Sequence, residues 1–350
     1  MALQTRDSSS DASTGRAGEP VTRRRAPTST GTPGQVRVAA IVDGAAREFE
    51  GDAAMRSLPG LLGRPDSPVW VDLAAPSPEQ VEAVGRSLGL HPLIVEDVLE
   101  GNQRAKIEIT DGVVHIVLFA LTHGRQFIAS EIDLVLGLGF LLTVHDQSWD
   151  PRATHHLRSG PGPVMGRGPD HLLWAISDDI VDGYFPFADA LGDEIDQVQD
   201  AILTAPANPD LERLFALKRE LIEVRRAAAP TREVFAQLTN RDLPLIDQEE
   251  IVYLRDVYDH VIRLTEELDS YRELTASTLE VYLTQVNNNL SVIMKRLTGV
   301  TVVLAGIGAI AGIFGMSEAG VEAGSFWGVT AGIAALAGAG VVFLRRIGWV

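Results

Sequence analysis

The sequence predicts an α+β domain followed by a long stalk helix and two C-terminal transmembrane helices. Three observations predict it. Short β-branched runs alternate with helix-start signals between Val36 and Val144. Apolar residues then recur every third and fourth position, with no proline from Gln248 to Phe314. Near the end stand two uncharged stretches, Leu297–Phe314 and Phe326–Leu344. At about 1.5 Å per residue each is long enough to cross a hydrocarbon core of about 30 Å.

Residues 1–35 are rich in Ser, Thr, Gly, Pro and Arg without a period and read as a disordered tail. Its basic cluster, Arg23-Arg24-Arg25, has no apolar segment behind it, so no cleaved leader is expected. Residues 36–168 read as an α/β domain, with strands expected at Val36–Val42, Val69–Leu73, Val113–Leu121, Ile132–Leu138 and Phe140–Val144. Ser77-Pro78-Glu79-Gln80 supplies a cap, a first-turn proline and an early acid for a helix reaching Leu88, and a second short helix fits Pro92–Leu99. His91, Asp97 and Glu100 are candidate ligands there, although a single histidine beside acids more often serves structure. His155-His156 falls in a Gly/Pro/Arg-rich loop, without a carboxylate at ligand spacing, and reads as solvent-exposed.

Residues 169–246 read as an acidic helical hairpin. Between Asp170 and Glu212 there are eleven Asp or Glu and no Lys or Arg. A solvated helix face accounts for such a block, and so does a cation-attracting surface. A further helix is expected over Leu211–Leu238, kinked or broken at Pro230.

Residues 247–314 form the stalk helix and its continuation into the first span. Leu254, Val257, Val261, Leu264, Leu268 and Tyr271 make one apolar seam; Leu279, Leu283, Val286, Leu290, Ile293 and Leu297 make a second, one residue out of phase. Unbroken, this is a helix of roughly 100 Å. Lys295 and Arg296 precede the first span and Arg345 and Arg346 follow the second, while the loop 315–325 carries Glu318 and Glu322 and no Lys or Arg. The positive-inside tendency then places both termini, including the basic tail 345–350, in the cytoplasm and the loop outside. Residues 326–344 form the second span. Two helices are too few to enclose an aqueous path, so any conduit requires several copies.

Composition excludes several functions. The chain has 350 residues, a formal net charge of −17 and no cysteine, which rules out disulfides, thiolate zinc sites and thiol nucleophiles. The charge disfavours nucleic acid as a partner. No phosphate-binding glycine loop, nucleophile elbow or zinc-hydrolase motif occurs, so an enzyme is not expected.

Three segments, Tyr253-Leu-Arg-Asp-Val-Tyr-Asp-His260, Met294-Lys-Arg-Leu-Thr298 and Ala311-Gly-Ile-Phe-Gly-Met316, closely resemble the CorA-type magnesium transporter family. So do Trp70-Val-Asp-Leu73, His91–Asp97, Asp178–Tyr184 and Leu221–Pro230 with its Arg225-Arg226 pair. The resemblance spans Val69 to Val350. It implies a funnel-shaped homopentamer in the plasma membrane, with the stalk helix lining a pore and the second span forming an outer ring. It further implies Mg2+ as substrate, with Co2+, Ni2+ or Zn2+ the alternatives in related branches, Mg2+ as regulatory ligand, and no organic cofactor.

Residue by residue, the family's Gly-Met-Asn mouth falls on Gly315-Met316-Ser317, with serine in place of asparagine. A hydroxyl ring still reaches the water shell of Mg2+, an ion that dehydrates reluctantly, but it is wider and lacks the amide. The inner polar position falls on Ser291 and the leucine constriction on Leu297. The usual pore proline and threonine are missing from Val302–Phe314, leaving an apolar wall suited to gating by dewetting. Gly308 and Gly312, like Gly328 and Gly332, have the spacing that lets membrane helices approach closely, so packing and ion contact both account for them. The intersubunit sensor pair falls on Asp97 and Asp256; salt bridges along the helix to Asp259 and His260 account equally for Asp256. Passive divalent-cation transport is therefore expected, the alternative being a non-conducting or differently selective relative.

Overall fold

The computed structural model describes residues 34–63, 67–101, 104–123, 127–204, 208–315, 323–346 and 348. Its N-terminal part holds a mixed sheet of β1 (Gln35–Val42), β2 (Ala45–Glu50), β3 (Val69–Ala74), β4 (Lys106–Thr110), β5 (Val113–His123), β6 (Phe127–Gly137) and β7 (Phe140–His145). The strand order is β2-β1-β3-β7-β6-β5-β4. β3 pairs with β7 in parallel and all other neighbours are antiparallel. Helices α1 (Gly51–Leu61), α2 (Pro78–Leu88) and α3 (Pro92–Glu100) interrupt the strands. Beneath them Leu58, Val71, Leu73, Val84, Val98 and Leu142 share one buried core.

The five expected strands are present. β2 and β4 are additional. Both are edge strands entered or left through an Asp-Gly turn, Asp43-Gly44 and Asp111-Gly112, with positive φ at both residues. That geometry is the one a two-residue hairpin turn needs to match strand twist. α2 starts as its sequence indicates: the Ser77 hydroxyl accepts from Gln80 N, and the Gln80 side chain accepts from Ser77 N.

After a 3-10 turn at Pro151–Ala153 come α4 (Gly162–Met165), α5 (Pro169–Asp182), α6 (Phe185–Thr204), α7 (Asn208–Asn240), α8 (Glu250–Gly315) and α9 (Ala323–Arg346). Of the kink or break expected at Pro230, the break does not occur, for α7 runs through it as one helix. A helix-interior proline costs about 3 kcal/mol. Ala227, Ala228, Val234, Phe235 and Leu238 are buried on either side, and their packing offsets that cost. At the α5–α6 junction the buried Tyr184 hydroxyl donates to the Phe119 carbonyl of β5 at 2.5 Å.

Two compact units are present. One comprises the chain up to Asp196 with Phe215–Leu274; the other comprises Gln197–Leu214 with Thr275–Val350. The division crosses α6, α7 and α8. In the first unit Leu254, Val257, Val261, Leu264 and Leu268 of α8 have no solvent exposure.

Candidate functional site

Beyond Leu274, α8 carries Leu283, Leu290, Leu297 and Leu304 at a strict interval of seven, and they are 54%, 54%, 60% and 63% exposed. A seven-residue apolar repeat is the pattern of a helix that packs against other helices. The described helix Glu250–Gly312 contains an 18-residue stretch of mean hydropathy 1.6, 6% buried, long and apolar enough to cross a membrane.

The expected pathway residues lie on this part of α8. At about 100° per residue, Leu297, Gly308 and Gly312 fall within an arc of about 60°, with Ser291 roughly 60° farther round. A Cβ added at Gly308, Gly312, Gly328 or Gly332 would meet no described atom within 4 Å. The Ser291 hydroxyl donates to the Asn287 carbonyl at 2.9 Å, so its proton is engaged along the helix and its lone pairs remain. Gly315 ends α8. Met316 and Ser317 lie outside the described residues.

Asp97 and Asp256 have separate neighbours within one chain. The Lys106 ammonium donates to Asp97 at 2.6 Å and to Glu108 at 3.0 Å. Burial works against the charge of Lys106, but these two carboxylates outweigh it and raise its pKa above the ordinary lysine value. That cation was not foreseen, because β4, which carries it, was not. Asp256 is 70% exposed, with His260 Nε2 at 3.9 Å. His91 is not free to serve as a ligand through Nδ1: that atom accepts from Leu93 N and caps α3.

Among the described residues, three groups bring potential metal-ligating atoms within 4.8 Å of one another: Asp97, Glu108 and His115; Asp178, Asp182 and His260; and His155, His156 and Asp179. The last group revises the expectation for the histidine pair. His155 is exposed, but His156 is half-buried, with Nε2 3.0 Å from Asp178 and its backbone N–H on Asp179. These carboxylates lie more than twenty residues away, which hid them from a local reading. Burial raises the Asp178 pKa, partly countered by its hydrogen bond with His156.

Other motif residues hold the frame. Trp70 Nε1 donates to Thr143, whose hydroxyl donates to Asp72. His145 Nε2 lies 3.1 Å from the same Asp72 oxygen. Burial opposes the Asp72 charge, yet His145, Thr143 and Arg152 keep its pKa below the ordinary value. Burial likewise opposes protonated His145, and Asp72 outweighs it, raising the histidine. At the foot of α8, Glu250 is shared by Arg167 and His171, at 3.0 and 2.8 Å. Tyr253 packs against Trp174 and beneath the Arg167 guanidinium. Arg225 of α7 donates to Asp269 of α8 at 2.9 Å.

A family model described as CorA-like Mg2+ transporter protein matches residues 65–346. The chain belongs to that family. Among its relatives is the cobalt/magnesium transport protein CorA of Thermotoga maritima, 32% identical over 295 residues, covering 81% of this chain and 84% of the relative. The zinc transport protein ZntB of Yersinia pseudotuberculosis is 26% identical over 266 residues, covering 73% and 78%. The fold is similar to the complete structure of the CorA magnesium transporter from Methanocaldococcus jannaschii, with a TM-score of 0.75 at 23% identity, covering 91% of this chain and 99% of that one. Membership of this family makes the chain a membrane transporter of the divalent-cation class, with an α+β domain and a long stalk helix.

Proposed function

We propose that the protein passes Mg2+, and with it Co2+, down the electrochemical gradient as a homopentamer in the plasma membrane. In this reading the distal part of α8 lines the path and α9 forms the outer ring, with both termini cytoplasmic. The observation that carries it is the exposed leucine ladder of α8: four apolar side chains at one heptad position, left uncovered by the described residues of a single chain. Fully burying a leucine is worth about 1.5–3 kcal/mol, so such a ladder favours lipid and neighbouring copies over water. Leu297 then forms an apolar constriction that gates by dewetting, Gly308 and Gly312 leave a backbone-and-methyl wall, and Gly315-Met316-Ser317 meets the hydrated ion outside.

Gating follows from the exposed Asp256 of one copy and Asp97 of the next. A divalent cation between them offsets their repulsion and holds the closed population; its loss releases the clamp. Lys106, already on Asp97, is the competitor that such an ion must displace or share. Asp97→Ala with Asp256→Ala should leave flux less inhibited by cytosolic Mg2+, and unchanged inhibition removes the clamp.

Uptake in a host lacking Mg2+ transport tests the main reading, comparing the native chain with Ser317→Asn. Rescue by the native chain supports Mg2+ conduction. Rescue by the variant alone supports a second reading, a non-conducting or differently selective protein, which the substituted asparagine and the likeness to a zinc transporter favour. Zinc uptake by the native chain without Mg2+ uptake would assign it that ion.

A further inference from the structure

His155, His156 and Asp179 form a donor set of a different kind from any carboxylate ring that would suit Mg2+. We propose that they bind a borderline divalent transition-metal ion, of which Zn2+ is the representative, on the first compact unit, and that Mg2+ does not compete there.

Three features carry this. The first is donor chemistry. Two imidazole nitrogens and one carboxylate oxygen lie within 4.8 Å of one another. Imidazole suits Zn2+, Ni2+ and Cu2+, whereas Mg2+ takes oxygen ligands in a near-ideal octahedron. Three protein donors leave a fourth tetrahedral position for water. Zn–N and Zn–O bonds of about 2.0–2.2 Å set tetrahedral donors about 3.4 Å apart. The exposed His155 ring is free to rotate toward the other two donors.

The second feature is support from outside the donor set. Asp178 holds His156 Nε2 at 3.0 Å, the carboxylate–histidine arrangement that fixes the tautomer when the other ring nitrogen takes a metal. The His156 ring also rests on Trp174, with centroids 4.8 Å apart. The His156 backbone N–H donates to Asp179 Oδ2 at 3.1 Å, binding the loop to α5 through the third ligand. The His156 ring and the Asp179 carboxylate are therefore positioned without an ion.

The third is connection. Asp178, which steadies His156, also belongs to the group with Asp182 and His260. His260 lies on α8, with Nδ1 3.3 Å from Asp182. An ion on the histidine pair thus sits one side chain away from the cluster that includes a residue of the long helix.

The test uses the full-length protein, free of any polyhistidine tag, purified in detergent and dialysed against Zn2+ with a large excess of Mg2+. Bound metal is then counted. The native chain should hold one more Zn2+ per chain than His155→Ala, or hold it at least about tenfold more tightly. His155 is exposed, so this variant keeps the fold, and zinc held by Asp178, Asp182 and His260 cancels in the comparison. Equal stoichiometry and affinity in native and variant, or release of the extra ion by Mg2+, overturns the proposal. Co2+ in place of Zn2+ gives a second readout: its visible ligand-field bands should weaken in His155→Ala and in His156→Gln, and bands unchanged in both would also overturn it. Neither measurement involves flux, so failure here leaves the transport reading standing, and the reverse.

Discussion

Between Leu254 and Leu268 the apolar side of α8 is sealed inside the chain; farther along, Leu283, Leu290, Ile293, Leu297 and Leu304 stand more than half exposed, with Val286 among them half-buried. The local code is the same in both stretches, an apolar residue every three or four positions. The surroundings differ. The proximal seam is covered by the chain's own fold, whereas the described residues leave most of the distal seam uncovered. Helical periodicity specifies that a face must be buried, and leaves open whether the chain, a second copy or lipid will bury it. Here the face of the first seam stays buried through Thr275, Thr278 and Tyr282, and the answer changes beyond them.

The largest expected effect tests this contrast directly. Leu264→Ala should destabilise the full-length protein by about 2–5 kcal/mol, the usual cost of emptying a leucine site in a closed core. Leu290→Ala should change the chain's own unfolding free energy by less than about 0.5 kcal/mol, while reducing the oligomer recovered after cross-linking. Chemical denaturation in detergent measures the first quantity. Equal losses for the two variants would erase the distinction between the halves.

A pH titration sharpens the comparison, because the buried Asp72–His145 pair lies in the unit that covers the proximal seam. Asp72 is depressed below its unfolded value, so its contribution is present above that value and is lost as pH falls through the lower folded one. His145 is raised, so its contribution is complete below its unfolded value, near 6.5, and is lost as pH rises through the higher folded one. Thermal unfolding should therefore be most resistant in mildly acidic buffer and decline on both sides. In Asp72→Asn the alkaline decline should flatten, since a neutral amide no longer favours the imidazolium. An unaltered profile would show that the pair does not set it.

The smallest effect belongs to Arg225–Asp269. Both side chains are 42% exposed, and such pairs are worth about 0–1 kcal/mol. Arg225→Gln should shift the denaturation midpoint only slightly. A loss on the Leu264→Ala scale would mean that α7 and α8 depend on charge there more than on their apolar seam.

What could be read from the sequence follows the same division between local and distant causes. β1, β3, β5, β6 and β7 were legible because buried strands are apolar runs, and α2 because Ser77 and Gln80 form a reciprocal cap. β2 reads Ala-Ala-Arg-Glu-Phe-Glu and β4 reads Lys-Ile-Glu-Ile-Thr; as edge strands they lack the apolar signal, though the Asp-Gly pairs preceding β2 and following β4 were usable markers. α1 was missed too: Pro59 lies inside it, and Glu50 caps it without a side-chain hydrogen bond. On the candidate site, the resemblance proposes Ser291 and Leu297, and small-residue spacing proposes Gly308 and Gly312, all on α8. The groups able to hold a metal were not legible, because His156 and Asp179, or Asp182 and His260, meet only through the fold. Lys106 beside Asp97 was hidden for the same reason.

The foot of α8 is bolted down by Arg167, His171 and Glu250, while Asp170 accepts from the Asp247 N–H just before it. Within the first unit, the stretch Glu250–Leu274 of α8 extends about 38 Å from that anchorage. Turning it by about two degrees about its fixed foot sweeps its far end through about 1.3 Å, comparable to the radius of a water molecule. Fine adjustments among side chains at the base are thereby magnified into displacements on the scale of one hydration layer.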